Sequence, residues 1–163
     1  PALGLVGEVR QIDGDALSTH LAAGRTPVIC SLGQDGSGRT LNINADLVAA
    51  SVASAVSAEA VLFLTDVRGF YAKLGDESTH VRTLLLAEAD ALLASGTLAK
   101  GMLPKIEACA EAVRSGARRA VIVDGREPDA LVRAYLGEGA RGTTVCRLAP
   151  DGGRTVRSQR EGD

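Results

Sequence analysis

The sequence predicts an α/β fold of three layers, with helices on both faces of a mainly parallel central sheet. Three observations carry that expectation. Strand-like and helix-like runs alternate along the chain, the pattern of a parallel sheet covered by helices. The runs at 60–64 and 120–123 are apolar at every position, as strands covered on both faces must be. The chain is 45% apolar yet holds no Trp, two Phe and two Tyr, so its core is aliphatic. Small helices laid on a sheet suit such a core better than an aromatic-rich sandwich or barrel.

In chain order, 4–12 reads as a strand or extended segment. A short helix follows at 15–23 and stops at Gly24, where a left-handed cap needs no Cβ. His20 lies in it among Ala16, Leu17 and Leu21, a packed or half-exposed helical position rather than a catalytic one. Residues 27–32 form a compact apolar run, expected to be a buried strand, and 33–38 a turn rich in Gly, Asp and Ser. Residues 40–43 are extended. Residues 45–56 form a helix of small residues, with Asn44 as N-cap and Asp46 in its first turn.

The run at 60–64 is the clearest central strand and ends in Thr65-Asp66-Val67-Arg68-Gly69. A helix at 86–93 stops at Gly96. Another starts near Met102, carries Pro104 in its first turn and stops at Gly116. Ile106, Cys109, Ala110 and Val113 fall on one face of it at helical spacing. A buried strand at 120–123 ends at Asp124-Gly125, a helix covers 128–136, and a last strand covers 143–147. The length fits one domain, 1–150, followed by a tail at 151–163 whose Gly, Arg, Ser and Gln predict disorder.

Composition removes several classes of function. The net charge is −2, which gives no electrostatic reason for a nucleic acid or an anionic membrane as partner. Arginines cluster at 114, 118 and 119 and at 154, 157 and 160, but no aromatics interleave with them for base stacking. They read as a solvated face. Cys30, Cys109 and Cys146 are odd in number and far from His20 and His80, which argues against a disulfide framework or a zinc site and for a reducing cytoplasm. No apolar run has membrane-spanning length and no signal peptide opens the chain. The start at Pro1 predicts a processed product, an excised domain or a fragment. Walker A, G-x-S-x-G and H-E-x-x-H patterns are missing, and no G-x-G-x-x-G follows a strand.

Ligands of open α/β sheets bind beyond the carboxyl ends of the strands. Three polar strand ends therefore stand out: Gly33, Thr65-Asp66, and Asp124-Gly125-Arg126. Two further segments join them. In Asn42-Ile43-Asn44-Ala45-Asp46 the two amides share one side of an extended stretch, and Asp46 follows at a helix N-terminus, the usual place for an anion. An aspartate is poorly suited to hold a phosphate, but well suited to orient lysines that do. In Gly101-Met102-Leu103-Pro104-Lys105 the glycine lets backbone approach a ligand. Lys105 stands near a positive helix end, where only a bound anion gives a cation a reason to be. Each segment also has a plain reading: a strand-to-helix turn, a capped helix, or a surface lysine.

In this order the segments resemble the carboxy-terminal part of the amino-acid kinase family, and within it the branch that phosphorylates N-acetylglutamate. The resemblance covers roughly 3–145. It is carried by Leu5-Val6-Gly7-Glu8-Val9, Asn42-Ile43-Asn44-Ala45-Asp46, Leu64-Thr65-Asp66-Val67-Arg68-Gly69, Gly101-Met102-Leu103-Pro104-Lys105-Ile106-Glu107-Ala108 and Asp124-Gly125-Arg126. It implies a carbamate-kinase-like three-layer fold in which 1–150 is the ATP-binding lobe and an amino-terminal, amino-acid-binding lobe is absent.

By resemblance, Asp46 organises the catalytic lysines, and Lys105 holds the nucleotide phosphates and stabilises the moving phosphoryl group. Asn42 and Asn44 stand where amino-acid and phosphate sites join. Gly33, Thr65, Asp66, Gly69, Gly101 and Met102 line the nucleotide site. The implied donor is ATP with its Mg2+, with no metal site of the protein's own. The implied acceptor is the side-chain carboxylate of N-acetyl-L-glutamate, on the route to arginine, and the product is an acyl phosphate. The full-length enzyme is expected to be a homo-oligomer, and the chain alone to turn over poorly. Alternatives are a kinase for carrier-protein-linked aminoadipate or glutamate, a non-catalytic nucleotide-binding module, and a plain interaction domain. Two departures from the family matter, of which the absent amino-terminal lobe is the first; Lys100 is a lesser one. The histidine and glutamate of arginine-inhibited members are missing around Val121 and Ala134, so arginine inhibition is not expected. Lys100 replaces a common glycine.

Overall fold

The computed structural model describes residues 4–73, 75–99, 101–137 and 142–148. Its helices are α1 (Gly14–Ala22), α2 (Ala45–Ala55), α3 (Leu86–Ser95), α4 (Leu103–Arg114) and α5 (Ala130–Leu136). Its strands are β1 (Leu32–Gln34), β2 (Thr40–Asn42), β3 (Ala60–Thr65), β4 (Phe70–Tyr71), β5 (His80–Val81), β6 (Thr83–Leu85), β7 (Arg119–Asp124) and β8 (Gly142–Cys146). Four strands form the central sheet in the order β3-β7-β8-β6. β3 and β7 are parallel from Ala60 opposite Arg119 to Thr65 opposite Asp124, and β8 is parallel to β6. The β7–β8 pair is antiparallel. The sheet is therefore two parallel pairs joined back to back.

The alternation of side chains along β3 and β7 sorts the core into two faces. Val61, Phe63, Ala120 and Ile122 pack with α2, α3 and α4, and Leu62, Val121 and Val123 pack with Ala134 of α5. The first face is much the thicker. α4 is its centre, with Ile106, Ala108, Cys109, Ala110, Ala112 and Val113 all buried. The alanines on α4, with Ala50 and Ala53 of α2, let the two helices approach closely, because interaxial distance follows side-chain size. Each large aliphatic group fully buried here, such as Ile106, Val113 or Ile122, contributes about 1.5–3 kcal/mol over its exposed state. Among the described residues no helix is long and apolar enough to cross a membrane.

The helix boundaries follow the local chemistry. Asn44 caps α2, Gly24 follows α1 at φ +70°, Gly96 ends α3 at φ +66°, and Pro104 sits in the first turn of α4. Several expectations need correction. The run 27–32 is not a buried strand: Val28 is 97% exposed, Ile29 and Leu32 are also exposed, and only Leu32 is in a strand. β1 pairs with β2 alone, so nothing described covers the run's apolar side chains. The segment 4–12 takes the second of its two expected forms, an extended stretch with one bridge, Val6 to Asn42. The helix expected from 128 begins at Ala130, after Asp129 at φ +59°. Strands β4, β5 and β6 were not anticipated. The tail at 151–163, with its three arginines, and Lys100 lie outside the described residues. Arg114 and Arg119 are engaged rather than free, the first with Asp90 and Glu111 and the second with the Tyr135 carbonyl and ring.

Candidate active site

Topology brings the two charged candidates to one end of the molecule. α2 leads into β3 and α4 into β7 through short turns, and each helix packs on the strand it feeds. Both therefore run against those parallel strands, and both N-termini lie at the strands' carboxyl edge. α2 and α4 also pack on each other. The first turns of the two helices, with Asp46 and Lys105, thus stand on one rim.

A buried sulfur reports both charges. Cys109 lies one turn along α4 from Lys105 and is fully buried. Burial pushes its thiol far above the ordinary range; the Asp46 carboxylate raises it further and the Lys105 ammonium pulls it back. One residue thus lies within electrostatic reach of both groups, which come from different helices.

Their surroundings differ. The Asn44 side-chain carbonyl accepts the Asp46 and Leu47 N–H groups at 2.9 and 3.2 Å, so this asparagine is the N-cap. Asn42 is held through its backbone: its N–H donates to the Leu5 carbonyl at 2.8 Å and its carbonyl accepts from Gly7 at 3.0 Å. Both asparagines are exposed while Ile43 between them is buried, as the alternation of an extended stretch requires. On the other helix, Met102 caps without a side-chain bond and the first turn holds no acid. Among the described residues Lys105 enters no salt bridge. A half-buried cation at a positive helix end is electrostatically costly unless an anion joins it. Gly101 is exposed beside it, with nothing within 4 Å of a notional Cβ.

The strand-end loop 65–69 stands at the same edge. Thr65 Oγ1 closes a local turn with the Val67 backbone at 3.1 Å. Asp66 is exposed and offers its carbonyl to Arg126 Nη2 at 2.6 Å. Gly69 is buried rather than lining an open surface. Its φ is +136°, and a Cβ there would stand 2.7 Å from both His80 Nε2 and Thr143 Oγ1, so only glycine fits. Gly33 is not at a strand end: it lies inside β1 opposite Leu41, and the hairpin turns beyond it. It lines an open cleft of about 830 Å³ bounded by 6–12, 29–43 and Val48 of α2.

Sequence reasoning singled out Asp124 and Arg126 as a strand end but assigned them no role. Asp124 is buried, and it accepts the Arg126 N–H at 3.0 Å and the guanidinium at 2.8 Å on each carboxylate oxygen. Those bonds to the Arg126 side chain and N–H, more than the opposing burial, hold its carboxyl down at about 2; the Arg68 charge adds to them. The signal was an acid and a base two residues apart after an apolar run. Thr143 and His80 were missed outright.

The comparisons with known proteins follow the geometry. A profile of the amino acid kinase family matches residues 2–124. The acetylglutamate kinase of Jannaschia sp. is 41% identical over 145 residues, which are 89% of this chain and 50% of that protein. That of Acidiphilium cryptum is 43% identical over 143 residues, 88% of this chain and 47% of that protein. Among solved structures, N-acetylglutamate synthase from Neisseria gonorrhoeae, complexed with coenzyme A and L-arginine, superposes with a TM-score of 0.77 at 27% identity. The match covers 88% of this chain and 33% of that one. The carbamate kinase of Giardia lamblia bound to AMP-PNP shares the fold, with a TM-score of 0.63 at 23% identity over 86% of this chain and 46% of that one. The chain spans about half the length of the curated relatives it matches. A family match over three quarters of the chain, on the α/β core just described, shows that it belongs to the amino acid kinase family.

Proposed function

We propose that this chain supplies the nucleotide side of an acetylglutamate kinase. In this reading a side-chain carboxylate oxygen of N-acetyl-L-glutamate attacks the γ-phosphorus of ATP. The bond from that phosphorus to the β,γ-bridging oxygen breaks, ADP leaves, and an acyl phosphate forms. Phosphoryl transfer asks a protein mainly for alignment and for neutralisation of charge on the transferred group. Lys105, at the N-terminus of α4, supplies positive charge together with the N–H groups of that helix end. Asp46 fixes the orientation of the lysine, and Asn42 and Asn44 stand on the acceptor side. Gly101 and Met102 let the α4 end approach the phosphates, while Thr65, Asp66 and Gly69 shape the rest of the nucleotide site.

The observation that carries the proposal is the shared rim of α2 and α4, two packed helices whose first turns hold Asp46 and Lys105. Relatives more than 40% identical that bear the name acetylglutamate kinase support the choice of acceptor. Among the described residues no three His, Cys, Asp or Glu side chains gather as a metal cluster. In this reading the Mg2+ that accompanies ATP is carried by the nucleotide's own phosphates, whose charge it would screen.

The test uses the full-length polypeptide: ADP release with MgATP is followed with and without N-acetyl-L-glutamate, and acyl phosphate is trapped with hydroxylamine. Acetylglutamate-dependent release with hydroxamate formation is expected. Nucleotide binding without transfer to any carboxylate would overturn the reading.

A further inference from the structure

The loop between β3 and β4 is gripped at both ends, at one by Arg126 just beyond β7 and at the other by Thr143 of β8. At its start, the Asp66 carbonyl accepts Arg126 Nη2 at 2.6 Å, and that guanidinium is itself fixed on the Asp124 carboxylate of β7. At its end, the Phe70 N–H donates to Thr143 Oγ1 at 2.7 Å, and the same hydroxyl donates to the Val81 carbonyl at 2.6 Å. Phe70 and Val81 face each other in the β4–β5 hairpin. One hydroxyl from the second residue of β8 therefore spans the base of that hairpin.

Thr143 is 0% exposed. A strand interior would accept valine there with the same shape and a lower desolvation cost. The hydroxyl has a reason to be buried because it bonds two backbone groups at the base of the hairpin, the Phe70 N–H and the Val81 carbonyl. Gly69 removes the remaining slack. Its missing Cβ is what allows Thr143 Oγ1 and His80 Nε2 to come so near the loop backbone. The loop thus has one position relative to β7 and β8, and through them relative to the N-terminus of α4, which packs on both strands.

We infer that Thr143 is a positioning residue for the nucleotide, setting where the 65–69 loop stands beside the first turns of α2 and α4. The inference rests on the kinase reading above. It differs from a plain packing role in one measurable way. A core hydrogen bond that only stabilises the fold affects both substrates alike when lost. A latch on the nucleotide loop weakens nucleotide binding and spares the acceptor.

The experiment compares Thr143→Val and Thr143→Ser in the full-length protein, by calorimetry with MgADP and by steady-state kinetics in both substrates. The valine variant is expected to raise the nucleotide Kd and the KM for ATP about tenfold, the size of one lost buried hydrogen bond. Its KM for acetylglutamate stays at the parent value, and the serine variant, which keeps the hydroxyl, binds nucleotide like the parent. Parental nucleotide affinity in the valine variant would overturn the inference, as would equal losses in both substrates. If the valine variant fails to fold, Arg126→Ala takes its place; that side chain is 70% exposed, and since the change also strips bonds from the buried Asp124 carboxylate, urea midpoints are read beside the Kd. It is expected to weaken MgADP about threefold, the loss of a solvent-exposed bond, and an unchanged Kd would overturn the inference. A parent protein that binds no nucleotide defeats the kinase reading itself, and the positioning role with it.

Discussion

Gly69→Ala combines a left-handed backbone with close contact, at 2.7 Å, to two polar side-chain atoms. The substitution meets two separate costs. The first is conformational: φ is +136°, and a side chain held in so sparsely populated a region costs about 1–3 kcal/mol. The second is contact. The new Cβ would stand 2.7 Å from His80 Nε2, 2.7 Å from Thr143 Oγ1 and 3.1 Å from the Thr143 nitrogen. Thr143 has a short side chain with no room to turn, so its hydroxyl must leave the Phe70 N–H and the Val81 carbonyl. Two buried groups then lose their partner, at about 1–3 kcal/mol each. Together the loss is roughly 3–9 kcal/mol, a large part of a total stability of roughly 5–15 kcal/mol.

Gly116 provides the control. Its φ is +119°, yet nothing lies within 4 Å of a Cβ built there. Gly116→Ala therefore carries the conformational cost alone. Urea unfolding followed by circular dichroism, with midpoints compared at a shared slope, should place Gly69→Ala well below Gly116→Ala. Equal midpoints would refute the contact argument and show that the loop yields without cost.

Three further outcomes are expected. Lys105→Ala and Asp46→Asn in the full-length enzyme should each lower turnover by about a hundredfold or more while circular dichroism stays unchanged; near-parental rates in both would place the chemistry elsewhere. Asp124 has its carboxyl held at about 2, below the ordinary aspartate value of 3.8. The stability it adds is thus full above that ordinary value and disappears as pH falls through about 2. The gap in urea midpoint between the parent and Asp124→Asn should narrow over that interval, and a gap constant with pH would contradict the assignment. Iodoacetamide should label exposed Cys30 in the folded protein and reach Cys109 and Cys146 only after denaturation, since both are buried with raised thiols and the thiolate is the reacting form. Labelling of Cys109 as fast as Cys30 would contradict its burial.

The elements that could be read from sequence were those whose pattern repeats over several residues or carries a chemical boundary mark. β3 and β7 are unbroken aliphatic runs, α2 opens on Asn44, and α4 opens on Pro104 and buries a helically spaced face. β4 and β5 have two residues each and β6 has three, too few for a period to emerge. The direction of β8 was equally hidden, because strand direction depends on the path of the connection and not on the strand's own composition.

The exposed run 27–32 shows the opposite failure. Apolarity signals burial only when something covers it, and Val28 has no such neighbour among the described residues. For the candidate site, charge at a helix end was the legible feature, which is why Asp46 and Lys105 stood out so far apart in sequence. Thr143 was invisible because a threonine inside a strand reads simply as a strand former. Only tertiary structure shows that its hydroxyl serves Phe70 and Val81. Gly33 was misplaced for a related reason: Gly, Asp and Ser mark a turn but not its first residue, and the strand continues past the glycine to Gln34.

A crystal structure of the full-length protein with MgADP and a γ-phosphate mimic tests the central claim most directly. The account places the mimic against the N-terminus of α4, with Lys105 Nζ hydrogen-bonded to it and Asp46 facing that lysine across the rim. A nucleotide seated in the cleft between 6–12 and 29–43, with Lys105 turned to solvent, would contradict it.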